Sequence, residues 1–176
     1  MLKLILPAGV ESQECFGAAP DDLLFPEEEK VIAHAVPARR REYRAVRSCA
    51  RACLGRLGYP PAPILPGVGG APMWPAGVQG SMTHCAGYAA AAVGSESRIS
   101  AIGIDAEPDM PLPDGVLDLI ATPAERDHLA AIQPEPDSPN WDQLLFSAKE
   151  AVYKTVAAPR LATGLAPQSE KETLTP

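Results

Sequence analysis

The spacing of hydrophobic and polar positions changes several times along the chain, and each change marks an element. Residues 1–6 alternate weakly and predict a short strand. Residues 17–30 are rich in Gly, Pro and acidic residues, and a brief helix is expected around Pro26–Ala35. Pro26 suits a first helical turn, and Glu27, Glu28 and Glu29 suit its positively polarised end. From Ala38 to Leu57, apolar or small side chains at Tyr43, Val46, Ala50, Cys53, Leu54 and Leu57 fall at helical spacing. Gly58 is a suitable stop, and Pro60 and Pro61 prevent continuation. Residues 58–80 hold six prolines together with Gly58, Gly67, Gly69, Gly70 and Gly77, which predicts a long ordered loop.

The run Gly80 to Val93, GSMTHCAGYAAAAV, is apolar around a polar Thr83-His84 pair. A strand from Ile99 to Asp105 follows, and the two are natural hairpin partners. Thr122-Pro123-Ala124-Glu125 fits a capping box with Pro at the first helical position. A last helix is predicted from about Trp141 to Val156, capped by Asn140, with Trp141, Leu144, Leu145, Ala148, Val152 and Val156 as its buried stripe. Beyond Ala157 the pattern stops, and residues 158–176 are expected to be a disordered tail. No clear internal repeat emerges.

Composition narrows the picture. With 176 residues, 46% of them hydrophobic, the chain can bury one sizeable core or two small lobes. A charged fraction of 21% does not describe a disordered protein, and a net charge of −7 argues against a general nucleic-acid binder. Yet Arg39, Arg40, Arg41, Arg44, Arg47, Arg51 and Arg56 make up 7 of the 15 Lys and Arg residues. A local cationic face on an acidic protein points to a small anionic ligand. Cys15, Cys49, Cys53 and Cys85 form no C-x-x-C pair, and only three histidines accompany them, so free thiols in a reducing cytoplasm are expected. The apolar run at the start is too short for a signal peptide, and no stretch is long enough to span a membrane.

Four groups of residues could do chemistry. Asp105 and Glu107, two apart at a strand end, present carboxylates to one face; a hard cation such as Mg²⁺ relieves their repulsion, whereas the bland alternative is a solvated D-x-E before Pro108. Glu150 and Lys154 lie one helical turn apart, away from the apolar stripe; they are either a surface ion pair or a metal ligand or base with a phosphate-binding group. His84 is either a core histidine or a donor to phosphate. On the arginine helix, Arg40, Arg44, Arg47 and Arg51 share a face, with Glu42 the only acid between Arg39 and Arg56. Unpaired guanidinium forks match phosphate oxygens.

Taken together, GSMTHCAGY, IGIDAEP and WDQLLFSAKEAVYK, in this order and spacing, resemble the Sfp/EntD-like 4′-phosphopantetheinyl transferases. The actinobacterial type is similar also at RRREYRAVRSCARACLGRLG, PAPILPG and PAGVQGSMTHCAGY, so that the resemblance covers roughly residues 5–154. It implies an α+β fold of two pseudo-symmetric halves, each a small antiparallel sheet on a long helix, here about 1–100 and 101–157, with the second incomplete. It implies coenzyme A as substrate, held by Arg39, Arg47, Thr83 and His84. It implies Mg²⁺ on Asp105, Glu107 and Glu150, with Glu150 and Lys154 catalytic. The acceptor would be a serine of an acyl or peptidyl carrier protein, and the enzyme a cytoplasmic monomer that binds no nucleic acid. Three features depart from the pattern. The loop LPGVGGAP lacks the family's basic residues, Ala89 stands where a basic residue is common, and the segment after the YK motif is Ala/Pro-rich rather than aromatic. The alternative these departures raise is a non-catalytic member that binds coenzyme A or a carrier weakly.

Overall fold

The computed structural model describes residues 1–17, 24–132 and 135–162, with backbone alone at 68 and 157–162. The elements are β1 (Val10–Phe16), α1 (Pro26–Val31), α2 (Pro37–Arg56), β2 (Val78–Cys85), β3 (Tyr88–Ser95), α3 (Val116–Ile120), α4 (Pro123–Ala131) and α5 (Trp141–Ala162). The strands form one antiparallel sheet in the order β1-β3-β2. The fold is therefore α+β.

The central strand explains the layers. Ala89, Ala90, Ala91, Ala92 and Val93 are all buried. Strand alternation sends Ala89, Ala91 and Val93 toward α2, and Ala90 and Ala92 toward Val10, Ile102 and Ile104 on the other face. Small side chains let the helix approach closely. The Cys49 and Cys53 thiols of α2 donate to the Ala89 and Ala91 carbonyls at 3.8 and 3.7 Å. Burial pushes these thiols up to about 12 and about 11, so they are packing groups rather than nucleophiles. None of the four cysteines is in a disulfide.

Three expectations change. Residues 1–6 contain a 3-10 turn at Leu2–Leu4 rather than a strand; the strand is Val10–Phe16, paired in register with β3. Its sequence, VESQECF, is a largely polar edge strand, so its alternation carries little apolar signal. The run Gly80–Val93 is two strands: Ala86 and Gly87 turn the chain, with Gly87 at φ +74°. Closing so short a loop costs little entropy, so β3 takes the pairing that the Ile99–Asp105 segment was expected to make. That segment crosses the second sheet face outside the ladder. Its backbone is held by side chains of β2: Ile104 N–H donates to Ser81 Oγ (3.2 Å) and Ala106 N–H to Thr83 Oγ1 (3.0 Å).

Helix limits follow the sequence more closely. α2 begins and ends within a residue of its expected bounds. The capping box at α4 is present, with Glu125 N–H donating to Thr122 Oγ1 (3.3 Å) and Thr122 N–H to Glu125 Oε2 (2.7 Å). Asn140 precedes α5, but its backbone N–H and Nδ2 both donate to Asp109 Oδ1 (2.8 and 2.8 Å). α5 continues past Val156 to Ala162, and the rest of the expected tail lies outside the described residues. Its expected buried stripe faces outward instead: Trp141, Leu144, Val152 and Val156 are exposed. α5 meets the protein along the flank of that stripe, where Gly103 lies so close to Ala151 and Thr155 that a Cβ there would overlap the Ala151 carbonyl oxygen. Among the described residues from 101 on there are three helices and no strand.

Candidate functional site

The site grows from the open edge of the sheet. β2 is an edge strand, so nothing pairs with its outer side within the sheet. A cavity of about 650 Å³ lies there, walled by α2 (Arg39, Tyr43, Arg47), β2 (His84) and α5 (Tyr153, Lys154). Alternation along β2 places neighbouring side chains on different faces. His84, opposite Ala89, faces α2 and lines the cavity; Thr83, opposite Ala90, faces the 102–106 segment. Thr83 Oγ1 donates to Asp105 Oδ1 (3.3 Å) and accepts from Ala106 N–H, so its hydroxyl is committed to positioning the acid.

The arginine face is not unpaired, as helix α2 alone suggested. α1 and β1 bring the counter-charges. Arg40 and Arg44 bond Glu29 at 3.2 and 2.7 Å, and Arg56 bonds Glu11 at 2.9 Å. Arg51 Nη1 donates to both oxygens of Glu28 (3.1 and 3.0 Å); that carboxylate is 0% exposed and also accepts from Ile64 N–H (2.8 Å). What remains for a ligand in the cavity is Arg39 and Arg47. Arg47 is buried, its guanidinium 3.4 Å from the centre of the Tyr43 ring, and its Nε donates to the Ile64 carbonyl (3.3 Å). Burial pulls its pKa below the ordinary guanidinium range. Arg39 is half-exposed and bonds His84 Nε2 at 2.6 Å.

The acidic group comes from two elements. Lys154 on α5 donates to Asp105 Oδ1 (2.7 Å) and the Ile104 carbonyl (3.2 Å) rather than pairing with Glu150, so of the two readings the surface ion pair is not the one formed. Asp105 Oδ2 is buried and has no hydrogen-bond partner. The Glu107 carboxyl is held above its ordinary 4.5, first by burial, then by the charges of Asp105 and Glu150, against the lowering effect of Lys154. Glu107 therefore feels the charges of both Asp105 and Glu150, although Asp105 and Glu107 do not sit on a strand. Among the described residues no three His, Cys, Asp or Glu side chains already meet at one ion-sized point. Asp105 Oδ2 is a buried carboxylate oxygen left without a partner, and oxygen ligands of this kind are the ones a hard divalent cation takes.

Sequence reasoning missed the residues that hold this arrangement. Ser81 and Thr83 tie the 102–106 backbone to β2, and Gly103 lets α5 approach. The one available signal was a glycine inside the apolar run IGI, which marks close backbone approach. Two arginines and a histidine on one wall, with a lysine-paired aspartate beside it, form a class of arrangement that could hold an anionic ligand.

Family comparison makes that class specific. The 4′-phosphopantetheinyl transferase N-terminal domain model matches residues 27–94, and the 4′-phosphopantetheinyl transferase superfamily model matches residues 101–169. The chain belongs to the 4′-phosphopantetheinyl transferase superfamily. It is 53% identical over 157 residues to 4′-phosphopantetheinyl transferase Svp of Streptomyces mobaraensis, covering 88% of this chain and 64% of that protein. It is 50% identical over 154 residues to 4′-phosphopantetheinyl transferase Npt of Nocardia iowensis, covering 88% and 68%. Against enterobactin synthase component D of Escherichia coli K12 the identity is 35% over 143 residues, covering 76% and 62%. The chain thus spans about two thirds of the length of the relatives it matches.

Proposed function

We propose that this chain transfers the 4′-phosphopantetheine arm of coenzyme A to a serine of an acyl or peptidyl carrier protein, with Mg²⁺. The observation that carries the reading is the cavity at the β2 edge. It joins a cationic wall (Arg39, Arg47, His84) to Lys154, whose ammonium in turn holds Asp105 Oδ1 at 2.7 Å. Arg39 and Arg47 would grip the 3′-phosphate end of coenzyme A, and His84 an oxygen of its phosphates. Thr83 serves by fixing Asp105 and has no free hydroxyl proton for a phosphate.

Asp105, Glu107 and Glu150 would hold the Mg²⁺, which offsets charge on the pyrophosphate when bound. The carrier serine Oγ bonds to the β-phosphorus as the bond to the leaving phosphate breaks. Glu150, directly or through a water, takes the hydroxyl proton. Lys154 neutralises or protonates the departing 3′,5′-ADP. Lys154 is already held beside Asp105, so its ammonium needs no search to reach the reacting group. Most of the rate then comes from placement and charge compensation, as in phosphoryl transfer generally.

The matched segments 27–94 and 101–169 support a division into two halves near residue 100, and we extend the proposal to pseudo-symmetric halves. A cytoplasmic monomer that does not bind nucleic acid is part of the same reading. Among the described residues no helix is long and apolar enough to cross a membrane. A second reading, a member that binds coenzyme A without transferring it, draws on one feature: the cavity wall at Pro66 and 69–72 carries no cation.

Intact-mass measurement of an apo carrier protein incubated with this chain, coenzyme A and Mg²⁺ separates the two. A carrier heavier by one phosphopantetheine supports transfer. Asp105→Asn and omission of Mg²⁺ should each abolish the gain. Coenzyme A binding with an unchanged carrier mass would favour the second reading.

A further inference from the structure

A second cavity, of about 480 Å³, lies beside the first, and the transfer reaction as derived above gives it no task. The two share a partition. Along α2, Arg39 belongs to the first cavity, and Arg41 and Glu42 to the second; along β2, His84 belongs to the first and Cys85 to the second. The wall of the second cavity is small and apolar at Ala38, Ala45 and Ala89, and the Ala86-Gly87 turn closes one end. It holds two charged groups. Glu42 is paired with Arg39 at 3.5 Å. Arg41 is exposed, and it is the one arginine of α2 with no hydrogen bond or ion pair among the described residues. The acid cluster is close to this end of β2: the Cys85 thiol is held above its ordinary value first by burial, then by the charges of Glu107 and Asp105.

We propose that the second cavity is where the acceptor carrier docks: it receives apolar side chains from the segment around the acceptor serine, and Arg41 on its rim pairs with a carboxylate of that segment. This rests on the transfer reading of the first cavity. Transfer needs a macromolecular acceptor within reach of Asp105 and Glu107 while coenzyme A fills the first cavity, so the serine has to arrive over a neighbouring surface. The chemistry of the docking segment follows from Arg41. An interface closing over an unpaired guanidinium would leave a dehydrated charge, so the segment must bring an anion. The small side chains of the wall leave room for apolar ones from the partner, as the dry centre of an interface requires.

A second exposed arginine provides the contrast for the test. Arg98 is also without an ion pair among the described residues, but it follows the end of β3 that lies opposite the Ala86-Gly87 turn. Arg41→Glu and Arg98→Glu change the net charge equally. With apo carrier, coenzyme A and Mg²⁺, Arg41→Glu should raise KM for the carrier at least about ten-fold, because the reversal sets like charges together. Arg98→Glu should leave it within about two-fold, as for an isolated exposed charge. Neither should change coenzyme A affinity in calorimetric titration. The wild-type KM for the carrier should rise with added salt, and Arg41→Ala should flatten that rise. Equal KM for the two charge reversals, whether both raised or both normal, overturns the proposal and leaves the transfer reading standing. If wild type binds the carrier without modifying it, titration of the carrier onto the chain loaded with coenzyme A replaces the kinetics: weakening by Arg41→Glu alone supports the docking surface and overturns the transfer reading. A wild type that neither modifies nor binds the carrier overturns both.

Discussion

The two long helices, α2 and α5, solve opposite problems. α2 buries an apolar face against an alanine-rich strand and carries arginines on its other sides, most of them neutralised by Glu28, Glu29 and Glu11 from elsewhere. α5 turns Ala151 and Lys154 inward and leaves Trp141, Leu144, Val152, Tyr153 and Val156 exposed. α2 is thus a structural helix that leaves two arginines at the cavity wall. α5 is docked through a backbone contact and a lysine, and on the proposed reading it is the helix that carries the chemistry. Stability and chemistry are divided between them, and each half of that contrast can be tested.

The largest effect is expected at the α2 anchor. Glu28→Ala strips Arg51 of its buried partner and leaves Ile64 N–H without an acceptor. Breaking such a pair costs about 3–5 kcal/mol, read as a lower urea midpoint; a change below about 1 kcal/mol would show that the pair does not anchor α2. Next comes the α5 contact. Gly103→Ala pushes a methyl into the Ala151 carbonyl, and the strain of overpacking is about 1–3 kcal/mol. Transfer activity should be lost, while hydrogen exchange of the α2 amides stays slow. Uniform loss of protection in both helices would mean that α5 is no more separable than α2.

Thr122→Ala removes the cap of α4 and should cost about 1 kcal/mol, read by thermal melting. Val152→Ser on the outward stripe should change stability by less than about 0.5 kcal/mol, against a clear loss for Cys53→Ser in the core. A large effect at Val152 would reveal a cover over the stripe. The smallest effect concerns pH. Lys149, bonded at 2.7 Å, holds the Glu125 carboxyl down at about 2 from an ordinary 4.5, helped by Thr122. A depressed folded pKa contributes stability above pH 4.5 that is lost as pH falls toward 2. Wild type should therefore lose a little more stability over that window than Lys149→Met, and parallel curves would remove Glu125 from the account.

Local information was enough for much of this protein. The bounds of α2, the capping box before α4 and the start of α5 follow from helical periodicity and from Thr, Pro and Glu at fixed offsets, because those forces act within one or two turns. The residue types of the site were also legible: two carboxylates two apart, a glutamate and a lysine one turn apart, a histidine in an apolar run. Tertiary structure decided which of them meet. Asp105 pairs with Lys154 because Ser81, Thr83 and Gly103 bring a non-ladder segment under α5. Arg39 and Arg47 are the arginines left in the cavity because glutamates far away in sequence claim Arg40, Arg44, Arg51 and Arg56. The partner of β2 and the inward face of α5 were misread for the same reason. Periodicity reports that an element has two faces, but which face is buried depends on what packs against it, and that partner is distant in the chain.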